Sequence, residues 1–251
     1  MIIKKFLNKL SINTYTIILM FIALLAGLFK ELTVITIIII IHEFGHFIGF
    51  YKYKWNVEKI DIYPFGGITH LDEKIDKSLN EELIITLMGP LMQEILFLFV
   101  FLLYKYEIIN MQIFNIFKDY NLYILIFNLL PILPLDGSKI LNTFLNKIFN
   151  FRLSYNINII ISIISLILFF AVFKNDSSYY VIIIFLIYQI IYYFKNRYIM
   201  FNRFVLEKKL KKSNFIKYKK VNSIKKMYRN KRNLIKENGS YITEYMYTNK
   251  K

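Results

Sequence analysis

The apolar run at residues 32–51 constrains the fold of this chain more than any other stretch of its sequence. It reads LTVITIIIIIHEFGHFIGFY, and its 20 residues are enough for a helix to cross the hydrocarbon core of a bilayer. Five further apolar segments follow the same pattern. The sequence therefore predicts an all-α polytopic membrane protein with six transmembrane helices, at residues 11–29, 32–51, 83–104, 120–135, 153–173 and 177–194.

The composition agrees with a membrane protein and restricts the metal chemistry that is open to it. Of the 251 residues, 56% are hydrophobic, which excludes an ordinary soluble domain. The sequence contains no cysteine, so nitrogen and oxygen atoms must supply any metal ligands. Zinc is compatible with such a set because it accepts histidine and carboxylate ligands.

The basic residues predict which side of the membrane each segment faces. With the N-terminus inside, 29 of the 33 Lys and Arg residues fall in cytoplasmic segments. Both termini are therefore expected in the cytoplasm, with a six-helix domain at residues 1–194 and a basic tail at 195–251. The tail carries 18 basic and 3 acidic residues, which favours anionic lipid as a partner. It lacks a recognisable nucleic-acid-binding module, so no nucleic acid is expected to bind.

The cytoplasmic loop between the second and third predicted spans has the pattern of a small β-hairpin. Residues 57–62 alternate as VEKIDI, a turn follows at YPFGG, and residues 68–71 can return as a second strand. An exposed strand edge there could bind an extended peptide substrate. A purely structural turn explains the same pattern equally well.

The three ionisable groups His42, Glu43 and His46 form an H-E-x-x-H pattern inside the second predicted span. Histidines four residues apart lie on one helix face, so both imidazoles can bind one zinc ion while Glu43 acts as the general base. Ionisable groups within a membrane helix are costly and are usually functional. A hydrogen-bonded polar cluster between helices is the less favoured explanation.

A third zinc ligand is expected at Asp136, in the stretch NLLPILPLDG at residues 128–137. Two prolines there interrupt the helix, and irregular backbone at membrane depth is tolerated where it lines a cavity. The alternative is a helix N-cap, since Asp136 precedes an apolar, helix-like segment. Taken alone the two readings are even, and the H-E-x-x-H pattern favours the ligand.

Together these two motifs resemble the site-2 protease family of intramembrane zinc metalloproteases, over about residues 32–145. The resemblance implies that His42, His46 and Asp136 bind one Zn²⁺ and that Glu43 is the catalytic base. Asn128 and Pro134 match the polar and proline positions that precede the ligand in that family. These two residues, with Phe65, Gly66 and Gly67 of the PFGG segment, are the predicted substrate-binding residues.

Within the family, the chain looks most like the sporulation branch, which removes the pro-sequence of a mother-cell sigma factor. The resemblance thus implies a pro-sigma factor as substrate, inhibitory membrane proteins as further partners, and a membrane of the sporulating mother cell. The tail is too short and too charged for the nucleotide-sensing domain of some relatives. Gln93 stands where relatives often have Asn, which leaves its role open.

Two other functions are compatible with the same residues. The chemistry could act on a different membrane-anchored regulator, or the chain could be a metal transporter or a scaffold without protease activity. Transporters need ligands along a path, whereas this sequence concentrates its ligands at one depth beside a general base. A protease is therefore the preferred interpretation.

Overall fold

The computed structural model describes residues 2–63, 66–71, 75–173, 179–210, 215–237 and 240–250, and most of them are helical. A short 3₁₀ turn lies at Ile224–Lys226. In chain order the elements are α1 (Ile2–Leu7), β1 (Leu10–Ile12), α2 (Thr14–Leu25), α3 (Phe29–Lys52), β2 (Val57–Tyr63), β3 (Gly66–Leu71), α4 (Leu79–Lys105), α5 (Met111–Leu129), α6 (Asp136–Ile148), α7 (Phe151–Phe173), α8 (Tyr180–Leu210), β4 (Tyr218–Val221), β5 (Arg232–Glu237), β6 (Ser240–Thr243) and α9 (Glu244–Lys250).

Three helices of the described residues, α3, α4 and α7, are long and apolar enough to cross a membrane. They contain all of the second, third and fifth predicted spans. The first predicted span differs, because its start forms strand β1 and the helix that follows, α2, has only 12 residues. The six-span layout and the side of the membrane that each loop faces stay predictions.

The fourth predicted span, at residues 120–135, is also divided differently in the structure. Helix α5 ends at Leu129, and α6 begins at Asp136. Pro131 and Pro134 explain the break, because a proline disfavours helical backbone in the residue before it and donates no backbone hydrogen bond. The short connection between α5 and α6 therefore places Asp136 at a helix start.

The structure divides into two compact units, and the first comprises residues 1–73 and 84–129. Its three-stranded sheet has the order β1-β2-β3, with β1 parallel and β3 antiparallel to β2, so the predicted hairpin has an additional strand. A hydrophobic cluster that includes Phe6, Phe47 and Ile60 packs this sheet against α1 and α3. Gly45 allows α4 to lie directly against α3, because a Cβ there would overlap the Met88 carbonyl.

The second unit comprises residues 74–83 and 130–251 and contains a sheet that the sequence did not predict. Strand β5 pairs in parallel with β4 and antiparallel with β6. Its core includes Phe151 and Phe204, whose rings stack at 4.6 Å, and also Met227 and Ile235. Residues 195–251 are thus more than a charged tail, since α8 continues to Leu210 and a folded module follows it.

Candidate metal and catalytic centre

Helix α3 buries the three ionisable side chains of the H-E-x-x-H pattern. His42, Glu43 and His46 are 2%, 3% and 5% exposed. The helical spacing places the two imidazoles on one face, where their Nε2 atoms lie 3.1 Å apart. The structure therefore brings both predicted histidine ligands to one point.

The hydrogen bonds of the two histidines fix which ring nitrogen carries the proton. His46 Nδ1 lies 2.9 Å from the backbone carbonyl of Ile85, and His42 Nδ1 lies 3.0 Å from Gln93 Oε1. The Gln93 amide is oriented by its own donation to the Asn121 carbonyl at 2.8 Å. Both acceptors lack hydrogens, so each Nδ1 donates.

An imidazole that donates through Nδ1 can bind a metal through the lone pair of its Nε2 atom. At 3.1 Å the two Nε2 atoms are close enough to bind the same cation. The Gln93 and Ile85 contacts are the outer partners that orient metal-binding histidines in proteins. The donor chemistry of this pair thus fits a zinc ion.

Gly89 leaves the space beside the two histidines open. A Cβ at this position of α4 would overlap His46 Nε2 and would lie 2.9 Å from His42 Nε2. Any other residue would therefore place carbon where a metal would bind. Pro90, the next residue, lies inside α4 and removes one backbone donor from the helix at the same level.

Asp136 belongs to the second unit, where it is the first residue of α6 and only 3% exposed. Lys139 Nζ lies 2.8 Å from its Oδ1. Asp136 as a third ligand beside His42 and His46 stays a prediction. Two nitrogens and one carboxylate are a common protein ligand set for catalytic zinc.

Glu43 faces the strand that follows the hairpin turn. The Gly67 backbone N–H donates to Glu43 Oε1 at 2.9 Å, and a Cβ at Gly67 would overlap the carboxylate. Strand β3 has β2 as its one partner within the described sheet, so its other edge is open. The Gly67 contact shows that this open edge lies against Glu43.

The remaining predicted substrate-binding residues have different surroundings. Asn128 is 6% exposed, and its Nδ2 has no hydrogen-bond partner among the described residues. A Cβ at Gly66 would lie 3.4 Å from Asn128 Oδ1, which places the amide next to the hairpin. Pro134 is half-buried and follows a cis peptide bond. Phe65 lies outside the described residues.

The sequence left the role of Gln93 open and gave no role to Gly89. Gln93 is fully buried. Its neighbour Glu94 is exposed and accepts a hydrogen bond from the Asn121 side chain at 3.3 Å. The sequence feature that could have indicated a role for Gln93 is its position as a polar amide within an apolar helix. His70 lies 3.0 Å from Asp61 in the first sheet. Burial opposes ionisation of Asp61, but hydrogen bonds and the charge of Lys59 bring its pKa below the usual value.

The sequence matches a family profile and two curated proteins. The profile of peptidase family M50 matches residues 30–118 and 103–172. The chain is 30% identical over 204 residues to stage IV sporulation protein FB of Bacillus subtilis, covering 80% of this chain and 71% of that protein. It is 33% identical over 122 residues to a zinc metalloprotease of Methanocaldococcus jannaschii, covering 47% of this chain and 35% of that protein.

The fold also matches a solved structure, that of the site-2 protease from Methanocaldococcus jannaschii. The TM-score is 0.59 at 23% identity, and the match covers 72% of this chain and 88% of that one. At this identity the likeness establishes a shared fold.

Proposed function

We propose that this chain, which belongs to peptidase family M50 and is a membrane zinc metalloprotease of the site-2 protease type, hydrolyses a peptide bond of a membrane-associated protein near the cytoplasmic face. The observation that carries this proposal is the His42–His46 pair, whose Nε2 lone pairs converge at 3.1 Å while both Nδ1 atoms donate elsewhere. Both histidines are buried, and their close Nε2 atoms can serve as two ligands of one metal ion.

In the proposed site, His42, His46 and Asp136 would hold the zinc ion. Zinc bound there would polarise the scissile carbonyl and lower the pKa of water. Glu43 takes a proton from the attacking water and returns it to the leaving amine, as a general base and then a general acid. Burial of Glu43 at 3% exposure keeps this proton transfer away from bulk solvent.

The substrate is proposed to bind as an extended strand along the open edge of β3. Main-chain hydrogen bonds to an edge strand align a peptide without requiring a particular sequence. The Gly67 N–H points to Glu43, so a peptide added at this edge would run beside the carboxylate. The unpaired amide of Asn128 is positioned near the same strand to donate to a substrate carbonyl.

The proposed substrate is the membrane-associated precursor of a sporulation sigma factor. Support comes from the 30% identity to a sporulation protein over most of this chain. Both termini are proposed to lie in the cytoplasm of the sporulating mother cell, with inhibitory membrane proteins as regulators. The basic residues of the C-terminal region would then face the anionic cytoplasmic leaflet.

A cleavage assay in a non-sporulating bacterial host tests the activity. The wild-type chain, Glu43→Gln and the control Glu94→Gln are each co-expressed with a tagged pro-sigma factor, and zinc is measured in the purified proteins. We expect cleavage by the wild type and by Glu94→Gln, and no cleavage by Glu43→Gln although it retains zinc. Cleavage by a zinc-loaded Glu43→Gln variant would overturn the role of Glu43.

A parallel assay tests the substrate. The same host expresses an unrelated membrane-anchored regulator in place of the pro-sigma factor. Cleavage of that regulator with an intact pro-sigma factor would replace the proposed substrate but retain the protease. If neither protein is cleaved and zinc moves across vesicles that contain the wild-type chain, the chain is a transporter.

A further inference from the structure

A groove between α7 and α8, within the second unit, has a charged end and an apolar end. Its volume is about 380 Å³, within the roughly 300–1,000 Å³ of small-ligand sites. Arg152 and Arg197 line one end together with Tyr198. Ile160 and Ile163 line the groove two to three helical turns further along α7.

The two arginines are held close together by aromatic rings. The Arg152 and Arg197 guanidinium groups lie 5.8 Å and 4.7 Å from the centre of the Tyr198 ring. Arg197 also lies 3.9 Å from the centre of the Phe194 ring and donates to the Tyr198 hydroxyl at 3.3 Å. These contacts fix the guanidinium groups in position without neutralising their charge.

No carboxylate neutralises this pair within the described part of the chain. The residues that line the groove include no Asp or Glu, and neither arginine takes part in an ion pair there. Two adjacent guanidinium groups favour an anion with several oxygens, because each can donate two parallel hydrogen bonds to a phosphate. The charged end therefore suits one phosphate group.

The position of the groove identifies what carries that phosphate. Arg152 is in the first turn of α7, a helix that is long and apolar enough to cross a membrane. From there the groove runs past Ile160 and Ile163, which are 56% and 42% exposed. A phosphate at the helix end joined to a hydrocarbon chain along the helix matches a phospholipid, whereas a free phosphate would leave the apolar half of the groove unused.

We infer that this groove binds one anionic phospholipid, with its phosphate between Arg152 and Arg197 and one acyl chain against the isoleucines of α7. This site differs from the diffuse attraction of a basic surface to a membrane. It has a defined stoichiometry and depends on two particular charges. It also requires the apolar half of the groove to be open.

The experiment measures phosphatidylglycerol binding to the delipidated full-length protein in detergent by native mass spectrometry. The double variant Arg152→Gln/Arg197→Gln is compared with Lys147→Gln/Lys195→Gln, which removes the same charge from residues that do not line the groove. We expect one tightly bound lipid on the wild type, at least tenfold weaker binding to the arginine variant, and less than a twofold change in the control.

A groove-filling variant, Ile163→Trp, tests the apolar half while both arginines are retained. We expect it to weaken lipid binding at least fivefold, with circular dichroism confirming that each variant keeps its helical content. Equal losses in the arginine and lysine variants would overturn the site in favour of diffuse attraction. Equal binding of phosphatidylcholine, or displacement of the lipid by equimolar inorganic phosphate, would overturn the assignment of an anionic phospholipid.

Discussion

Two buried polar clusters in this molecule have opposite electrostatic designs. In the first unit, the Nε2 atoms of His42 and His46 lie 3.1 Å apart. In the second unit, Lys208 is 2% exposed, and its Nζ lies 2.5 Å from Asp76 and 3.5 Å from Glu244. The first cluster brings two metal-binding nitrogens together, whereas the second contains both signs of charge.

The second cluster draws most of its partners from within the protein, although Glu244 Oε1 has the Lys208 charge at 3.5 Å and no hydrogen bond among the described residues. Asp76 also accepts the Asn230 backbone N–H at 2.9 Å, and Glu244 accepts the Asn233 backbone N–H. Burial raises the pKa of Glu244, and the adjacent Lys208 charge opposes that change. Lys208 thus stabilises a charged Glu244, and the cluster joins residues 75–82, the end of α8 and the C-terminal module.

The contrast shows how burial alone fails to distinguish a functional cluster from a structural one. Both clusters exclude water, and unsatisfied polar groups cost free energy wherever they are buried. A structural cluster meets that cost with its own partners. In a functional cluster, this unfavourable free energy is relieved only when a ligand binds. Active sites therefore commonly reduce the stability of the protein that contains them.

The largest effect is expected from His46→Leu, which removes one of the two predicted histidine ligands. Zinc content should fall to background, and cleavage should be lost entirely. In chelator-treated protein, the loss of the bond to the Ile85 carbonyl should cost about 1 kcal/mol, so the midpoint of thermal unfolding should stay within about 4 °C of wild type. A much larger fall would mean that His46 is mainly structural, which differential scanning calorimetry can measure.

The next largest effect is expected from Lys208→Met, which leaves two buried carboxylates without their cation. Removing one partner of a buried ion pair costs about 3–5 kcal/mol, so the C-terminal module should open far more often. Hydrogen exchange of the β5 amides measures this opening, and Lys226→Met, at an exposed position, is the matched control. Zinc content should not change. If β5 exchange in Lys208→Met equals that of the control, the cluster contributes nothing to stability.

A smaller effect is expected from Gln93→Leu, which removes the acceptor that orients His42. Loss of such an outer partner typically lowers metal affinity by about 10–100-fold. Gln93→Glu keeps an oxygen acceptor at the same place and should retain affinity within a few-fold of wild type. Competition with a zinc chelator measures both variants. Equal affinity of the Leu and Glu variants would show that Gln93 does not act through His42.

The predicted features that the structure retains all rest on local patterns. The run at residues 32–51 contains its own helix signal, and α3 includes all of it. The alternation at residues 57–62 and the glycines after it likewise indicate a hairpin, which the structure contains. The H-E-x-x-H spacing needs only helical geometry to bring the two imidazoles together.

The features that the sequence did not predict depend on contacts between distant residues. Strand β1 was assigned to a membrane span because its apolar residues continue into α2, yet it pairs with β2 about 50 residues later. The C-terminal sheet was not predicted because its part of the sequence is rich in lysine, which usually indicates an exposed segment. Lys208 of the preceding helix is nevertheless buried, paired with the carboxylates of Asp76 and Glu244. From sequence alone, a charged side chain is predicted to be exposed unless the oppositely charged residue that pairs with it is known.

By itself, the sequence determined the family and the metal chemistry and predicted the general base, because these depend on residue types at fixed short spacings. The tertiary structure decided how that chemistry is arranged within each unit. It placed Gln93 on His42, left space at Gly89 and set the open edge of β3 against Glu43. None of these could be read from spacing, because each joins separate elements through a hydrogen bond or a close approach that exists only once the helices and strands have packed.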